Sequence, residues 1–75
     1  MTIKNNISTI NDLLFKIETH PMCAELQIIK NHYRVLFPFK TTSGLHGVVI
    51  NNTMGKIKAL KILYEKCEDA WKEDQ

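Results

Sequence analysis

The segment AELQIIKNHYRVLFPF, residues 24–39, is the feature of this sequence that most restricts its fold. Apolar and polar side chains alternate on both sides of its centre, which is typical of two antiparallel strands joined by a tight turn. Asparagine tolerates the positive φ that a type I′ turn requires, so we predict a two-residue turn at Asn31 and His32. A β-hairpin is therefore the centre of the predicted fold.

The position of the turn determines which residues of the hairpin pair. Counted outward, the predicted pairs are Ile28 with Val35, Leu26 with Phe37, and Ala24 with Phe39. All of them lie on one face, as a half-buried hairpin requires. In this register Pro38 opposes Glu25, where its missing N–H leaves the hairpin intact but would weaken pairing with a further strand. We therefore expect the second strand to be at least partly a sheet edge.

Apolar residues at helical spacing predict a helix before the hairpin, from residue 8 to residue 19. It ends there because His20 precedes Pro21, and the residue before a proline is disfavoured in the helical region. Phe15 points away from the apolar stripe of this helix. We therefore interpret Phe15 either as a stray exposed aromatic residue or as a contact residue.

A second helix is predicted from residue 53 to residue 73, with Asn52 or Thr53 as its cap. Its apolar stripe consists of Ile57, Leu60, Leu63, Tyr64, Cys67, Ala70 and Trp71. Ile62 is expected to point outward between lysines. Before this helix, the run HGVVI predicts a short third strand at about 46–50, the alternative being an extended loop that closes over the core.

These elements predict a small α+β domain in the order α-β-β-(β)-α, with two helices packed on one face of an antiparallel two- or three-stranded sheet. We expect one domain over residues 1–75, frayed at 1–6 and 73–75. A chain of this length buries only about 60% of its unfolded surface. Two helices can therefore cover only one face of the sheet.

Composition excludes several functional classes. With 44% hydrophobic residues, 24% charged residues and a net charge of +2, the chain has the composition of an ordinary globular domain. Its apolar runs are far shorter than the roughly 18 residues that span a bilayer, and its first residues do not resemble a secretory signal. Two cysteines allow at most one disulfide, whereas small secreted domains carry several. We therefore expect a cytoplasmic protein with reduced thiols and no membrane partner.

Catalytic and metal-binding signatures are weak. His20 and Cys23 form one H-x-x-C pair, but a structural zinc site requires four ligands, usually in two close-spaced pairs. The carboxylates of the second helix stand among lysines, whereas a general acid needs an apolar pocket that raises its pKa. No glycine loop with the spacing of a phosphate-binding motif occurs. We therefore predict a protein that is not an enzyme and holds neither cofactor nor metal.

Three lysines at the start of the second helix, Lys56, Lys58 and Lys61, favour nucleic-acid binding as an alternative function. A helix N-terminus attracts phosphate, and lysines strengthen that attraction. If the third strand forms, the element order resembles that of double-stranded RNA-binding domains, which also place lysines at the start of their second helix. The sequence departs from that family in its two-residue turn, where the family has a longer loop that enters the minor groove. A solvated lysine-rich face is the simpler interpretation.

The hairpin face turned away from the helices is the main predicted binding surface. In the predicted register Ile29 and Leu36 are diagonal neighbours there, flanked by Arg34 and Gln27. An apolar centre with a polar rim is typical of protein interfaces. We therefore predict a non-catalytic regulator, adaptor or inhibitor that contacts another protein or a second copy of itself, with Phe15 as a secondary contact. The alternative is that a third strand or the loop at 40–47 folds over this face.

Overall fold

The structure is a computed structural model that describes the backbone of residues 2–73 and the side chains of residues 9–73. Its elements are α1 (Thr2–Glu18), β1 (Glu25–Ile29), β2 (His32–Leu36), β3 (Gly47–Asn51), a 3₁₀ turn (Asn52–Met54) and α2 (Lys56–Glu73). Both helices pack on one face of a three-stranded antiparallel sheet. The predicted α+β fold is therefore confirmed, although α1 begins earlier in the chain than predicted. Residues 1, 74 and 75, for which fraying is predicted, lie outside the described residues.

The sheet has the order β1-β2-β3, so β2 is its central strand. The third strand is confirmed, and the expectation that β2 is an edge is wrong. Pro38 does not disturb pairing because β2 ends at Leu36, two residues earlier. The ladder between β2 and β3 closes instead with a hydrogen bond from the Phe37 N–H to the His46 carbonyl oxygen at 2.8 Å.

The hairpin turn lies one residue earlier than predicted, at Lys30 and Asn31, so the predicted register is wrong by two residues. The observed β1–β2 pairs are Glu25 with Leu36, Leu26 with Val35, Gln27 with Arg34, Ile28 with Tyr33, and Ile29 with His32. Between residues 2 and 73 no residue other than glycine has a positive φ, so the turn is not type I′. A further hydrogen bond, from the Asn52 N–H to the Asn31 carbonyl oxygen at 3.0 Å, links the turn to the segment after β3.

A shift of two residues preserves the two faces of the hairpin, because side chains alternate with a period of two. Tyr33, Val35 and Phe37 are buried against the helices, as their parity predicts. The predicted pair of Ala24 with Phe39 does not form, and Phe39 is 50% exposed. The face assigned to each residue of the two strands is therefore correct, although the pairs are not.

The core joins this inner face to one stripe of each helix. Its buried apolar residues are Leu13, Ile17, Met22, Tyr33, Val35, Phe37, Ala59, Leu60, Leu63, Cys67 and Ala70. The stripe predicted for α2 is thus largely correct. Ile62 is half-buried, contrary to the prediction that it points outward. Ile28 shares the inner face but lies on the edge strand β1, and it is exposed.

The start of α2 differs from the prediction because a 3₁₀ turn intervenes. The Asn51 side chain caps that turn, accepting a hydrogen bond from the Thr53 N–H at 2.9 Å. Gly55, with φ of 106°, then separates the turn from α2. The predicted cap at Asn52 or Thr53 is therefore wrong.

Gly47 has a structural role at the start of β3. A Cβ atom at this position would overlap the carbonyl oxygen of Val35. Only glycine therefore allows β3 to approach β2 here. Glycine usually weakens a strand interior, whereas here it permits the close pairing.

Candidate functional site

The sheet face turned away from the helices, called the outer face, is left uncovered by the described elements of the fold. It consists of Glu25, Gln27, Ile29, His32, Arg34, Leu36, Gly47, Val49 and Asn51. None of these residues is buried, because both helices pack on the opposite face. Ile29 is 44% exposed and Val49 is 53% exposed. The alternative in which a strand or loop covers this face is not observed among the described residues.

The outer face is organised in three rows that cross the strands. Row one contains Glu25, Leu36 and Gly47; row two contains Gln27, Arg34 and Val49; row three contains Ile29, His32 and Asn51. Row two separates Ile29 from Leu36, so the predicted diagonal contact between them is wrong. Their positions along the strands differ by four residues, which is about 13 Å along the strand direction. The apolar groups of this face are therefore spread out around Arg34.

Val49 and Phe15 are exposed apolar residues on opposite sides of the sheet, so they differ in which partner surface they can contact. Val49 belongs to the outer face but was not predicted, although the alternation within HGVVI could have indicated it once the third strand was accepted. Phe15 is exposed, as predicted, at 68%. It lies on α1, whose packing against the inner face places it on the other side of the sheet. Phe15 therefore cannot join the same flat contact as Leu36.

The outer face carries one carboxylate, Glu25, and one permanently charged base, Arg34. Gln27 donates from Nε2 to Oε2 of Glu25 at 2.9 Å, and Glu25 is exposed. Arg34 is also exposed, and its guanidinium forms no ion pair within residues 9–73. The face thus carries one cation and one anion that are free to meet charges on a partner.

A second surface is an open groove at the start of α2, called the lysine groove, with a volume of about 580 Å³. Its lining residues are Ile10, Met54, Gly55, Lys56, Ile57, Lys58 and Lys61. The structure therefore brings together all three lysines of the alternative prediction. No acidic residue lines the groove in the described part of the chain. Ile10 comes from α1, and sequence spacing alone did not indicate its presence.

A cluster of side chains around the buried His20, called the His20 cluster, lies near the other end of α2. It consists of His20, Met22, Tyr64, Glu68 and Trp71. The backbone N–H of Met22 donates to His20 Nδ1 at 3.0 Å, and His20 Nε2 lies 2.6 Å from Glu68 Oε2. Because Nδ1 accepts a hydrogen bond, the proton of the neutral ring is on Nε2 and is donated to Glu68.

The aromatic members of this cluster hold the imidazole from the side. Tyr64 and Trp71 contact His20 edge to face, with ring centroids 5.7 and 5.5 Å from its centre. Both ring nitrogens of His20 are occupied inside the protein. The ring therefore has no nitrogen left to act as a general base on a bound molecule. The sequence placed His20 only at the end of the first helix, before Pro21, and indicated none of these contacts.

The two cysteines are not bonded to each other. Burial, followed by the neighbouring Cys23 and Glu68, raises the pKa of the Cys67 thiol to about 12. Partial burial, then Glu18, raises the pKa of Cys23. Nucleophilic cysteines require the opposite shift, since the thiolate is the reactive form.

Within the described residues no three histidine, cysteine, aspartate or glutamate side chains are grouped so that they could hold a metal ion. Neither helix, over the same residues, is long and apolar enough to cross a membrane. Comparisons with protein-family models, curated proteins and solved structures find no match for this chain. Among the described residues, the outer face and the lysine groove are two candidate binding surfaces.

Proposed function

We propose that this protein is a small non-catalytic binding protein of the cytoplasm that acts by association of its outer face with another protein surface, as a regulator, adaptor or inhibitor. One observation carries the proposal: the inner face of the sheet receives both helices, while the outer face has none of its residues buried. An uncovered sheet face with exposed aliphatic side chains gains free energy when a partner covers it.

The distribution of side chains supports this proposal. Ile29 and Val49 are 44% and 53% exposed, so covering each contributes about 1 kcal/mol, half of the value for fully burying such a side chain. Arg34 lies between them, and arginine is enriched in protein interfaces. Gln27 and Leu36 complete the predicted contact set. Phe15 stays a separate prediction, because it faces a different side.

The substitution Val49→Asp tests the proposal better than Leu36→Asp, because Val49 is exposed and Leu36 is half-buried. We expect Val49→Asp to abolish capture of protein partners from an extract of the native host, measured by affinity purification and mass spectrometry. Phe15→Asp is the matched control, since it places the same charge on an exposed apolar position of another surface. Circular dichroism verifies that both variants are folded.

Partner capture that is equal for the wild type, Val49→Asp and Leu36→Asp would contradict this function. Loss of capture with Phe15→Asp alone would move the contact to α1. Loss with Val49→Asp alone would support the outer face.

A second candidate function is nucleic-acid binding through the lysine groove. The observation that favours it is the convergence of Lys56, Lys58 and Lys61 on one groove that has no acidic lining residue among those described. The third strand also completes the element order on which the resemblance to double-stranded RNA-binding domains depends. The two-residue turn remains a departure from that family.

Replacement of the three lysines by glutamine tests this candidate. Fluorescence anisotropy with a double-stranded RNA of about 20 base pairs, slightly longer than one such domain spans, would show lost affinity and a flatter salt dependence. The matched control replaces Lys16, Lys30 and Lys72, which are exposed lysines outside the groove. Absence of wild-type binding at low salt, or equal losses for the two triple variants, would exclude a specific role for the groove.

A further inference from the structure

Strand β1 is an open edge of the sheet, because the order β1-β2-β3 leaves one of its sides unpaired. The backbone groups of an antiparallel strand alternate in direction, and the 2.8 Å bond from the Phe37 N–H to the His46 carbonyl oxygen directs the odd-numbered residues of β2 to β3. The even-numbered residues of β2 therefore bond to the odd-numbered residues of β1. This alternation leaves the N–H and C=O groups of Leu26 and Ile28 pointing away from the sheet.

The outward groups of β1 are open to a partner strand. Within the described residues, none of the turn, loop and cap hydrogen bonds uses the backbone of Leu26 or Ile28. The Ile28 side chain is 64% exposed, although its parity places it on the inner face. Edge strands are normally blunted by prolines, bulges or inward-pointing charges. β1 has a continuous register with β2 and carries only Leu26 and Ile28 on its inner face, so none of these devices blocks its edge.

The edge formed by β3 is covered more fully than the edge formed by β1. Val48 and Ile50, the inner-face residues of β3, are half-buried and pack against the core. Ile28, at the corresponding place on β1, is exposed. A further strand beside β1 would therefore cover an apolar side chain that the helices leave open, which favours association at this edge.

An acidic recess of about 290 Å³ lies at the start of β1 and the end of α1. Its lining residues are Glu18, Cys23, Ala24, Glu25 and Leu26. Both carboxylates are exposed, and neither forms an ion pair within residues 9–73. No lysine, arginine or histidine lines the recess in the part of the chain that the structure describes. The recess is therefore complementary in charge to a basic side chain.

We infer that β1 binds an extended segment of another protein, which pairs with it as a fourth strand and places a lysine or arginine in the acidic recess. This contact uses the edge of the sheet and is independent of the outer-face contact proposed above. In antiparallel pairing, the residues opposite Leu26 and Ile28 exchange backbone hydrogen bonds with them. Their side chains lie on the inner face, where apolar groups cover Ile28. The residue opposite Ala24 shares that face beside the recess, and it is the basic one.

Peptide selection combined with amide exchange tests the inference. Random peptides of about 12 residues, longer than a typical strand, are displayed on phage and selected on the immobilised chain. Selected peptides should carry two apolar residues in alternation and a lysine or arginine two positions further toward the C-terminus. By NMR, the amides of Leu26 and Ile28 should be protected from exchange only with the peptide bound. The amides of Gln27 and Ile29, which bond to β2, should be protected in the free chain as well.

Ile28→Pro removes an outward N–H but no bond to β2, so it should weaken binding of the fluorescein-labelled peptide about tenfold or more in anisotropy titrations. Val49→Pro is the matched control, because the Val49 N–H points outward at the opposite edge, and its affinity should equal that of the wild type. Glu18→Lys should lower the affinity about tenfold by placing a like charge beside the basic residue. Glu65→Lys, at an exposed position of α2, should leave it unchanged. Circular dichroism verifies that the variants are folded.

Equal affinities of Ile28→Pro and Val49→Pro would overturn the inference. So would selected peptides that lack the alternation or the basic residue, or amides of Leu26 and Ile28 that stay unprotected in the complex. If Ile28→Pro does not fold, Glu18→Lys and the amide exchange decide. Protection of the two amides that rises with the concentration of the free chain would mean that a second copy occupies the edge, which would also overturn it. Peptide binding that survives Val49→Asp would support an edge contact independent of the outer face.

Discussion

The His20 cluster and the lysine groove, near opposite ends of α2, are built in different ways. In the His20 cluster a buried imidazole has both nitrogens hydrogen-bonded and two aromatic rings against it. In the lysine groove Met54 is 44% exposed and Gly55 has a φ of 106°. One end is closed by contacts within the chain, and the other end leaves its polar groups to solvent.

This difference indicates where the molecule obtains stability and where it can bind. The contacts of the closed end are long-range, since His20 and Glu68 are 48 positions apart. The segment between β2 and β3 also attaches to this end, through a hydrogen bond of 3.2 Å from Ser43 Oγ to Glu73 Oε2. Surfaces with few buried contacts are the ones that can rearrange around a ligand. The closed end should therefore resist substitution and reagents more than the lysine groove does.

The largest expected effect is the protection of Cys67 from alkylation. Burial raises its pKa from 9.0 to about 12, which lowers the thiolate fraction at pH 8 about a thousandfold relative to the unfolded chain. We expect iodoacetamide to modify Cys67 slowly in the folded protein and rapidly in urea, as measured by mass spectrometry of its peptide. The control is Met54→Cys, which places a thiol on the exposed side of the lysine groove.

The same shift predicts a pH dependence of stability. The unfolded thiol loses its proton near pH 9, while the folded thiol retains it until about pH 12. The free energy of unfolding therefore falls as pH rises through this window. Cys67→Ala should flatten the decrease. The contradicting outcome is an alkylation rate of native Cys67 that is within about tenfold of the rate of the cysteine introduced by Met54→Cys. The two ends of α2 would then not differ in how strongly they protect a thiol.

The second effect concerns His20 itself. His20→Ala removes the hydrogen bond to Glu68 and leaves the Met22 N–H without its acceptor. We expect a loss of about 2–4 kcal/mol in the free energy of unfolding, since buried groups then lose their partners and a cavity remains. Met54→Ala, at the lysine groove, should cost less than about 1 kcal/mol because Met54 is largely exposed. Urea denaturation measures both.

Glu68→Gln separates hydrogen bonding from packing in the His20 cluster. The glutamine oxygen still accepts the Nε2 proton but carries no charge, so we expect a loss of only about 1 kcal/mol. Equal stability of His20→Ala and Met54→Ala would contradict the distinction between the two ends. Equal losses in His20→Ala and Glu68→Gln would show that the charge of Glu68 dominates.

The parts of the fold that the sequence predicts are those that depend on local periodicity. The buried residues Leu60, Leu63 and Cys67 follow from helical spacing. The inner-face residues of the hairpin follow from alternation. The grouping of the three lysines in the lysine groove could be predicted because they are neighbours on one helix. These features need no knowledge of distant segments.

The parts that could not be predicted depend on contacts between distant segments. Hairpin registers that differ by two residues bury the same faces, so alternation cannot distinguish a turn at Lys30 from one at Asn31. In the structure, the pairing of β2 with β3 further constrains the hairpin register. Likewise, no local pattern indicates that His20 meets Glu68. For this reason the outer face of the structure differs from the predicted contact face. It includes Val49, and Ile29 lies apart from Leu36.

The smallest expected effect compares two glycines with a similar positive φ. Gly55 beside the lysine groove has φ of 106°, and Gly44, in the segment attached to Glu73 through Ser43, has φ of 95°. A Cβ at Gly55 would meet no atom within 4 Å, and one at Gly44 would meet only the Lys40 side chain at 3.8 Å. An alanine at either position therefore meets no obstacle from neighbouring residues. Its cost comes from the positive φ of its own backbone, which is about 1–3 kcal/mol.

How much of that cost remains depends on whether the surrounding chain can relax. The 3₁₀ turn before Gly55 has no buried residues, whereas the Gly44 N–H donates to the carbonyl oxygen of the buried Thr41 at 2.9 Å. We expect Gly55→Ala to lower the free energy of unfolding by about 1 kcal/mol and Gly44→Ala by about 2 kcal/mol, measured by urea denaturation. The reverse order would mean that the start of α2 is the more rigidly held end, and that the lysine groove is preformed rather than adaptable.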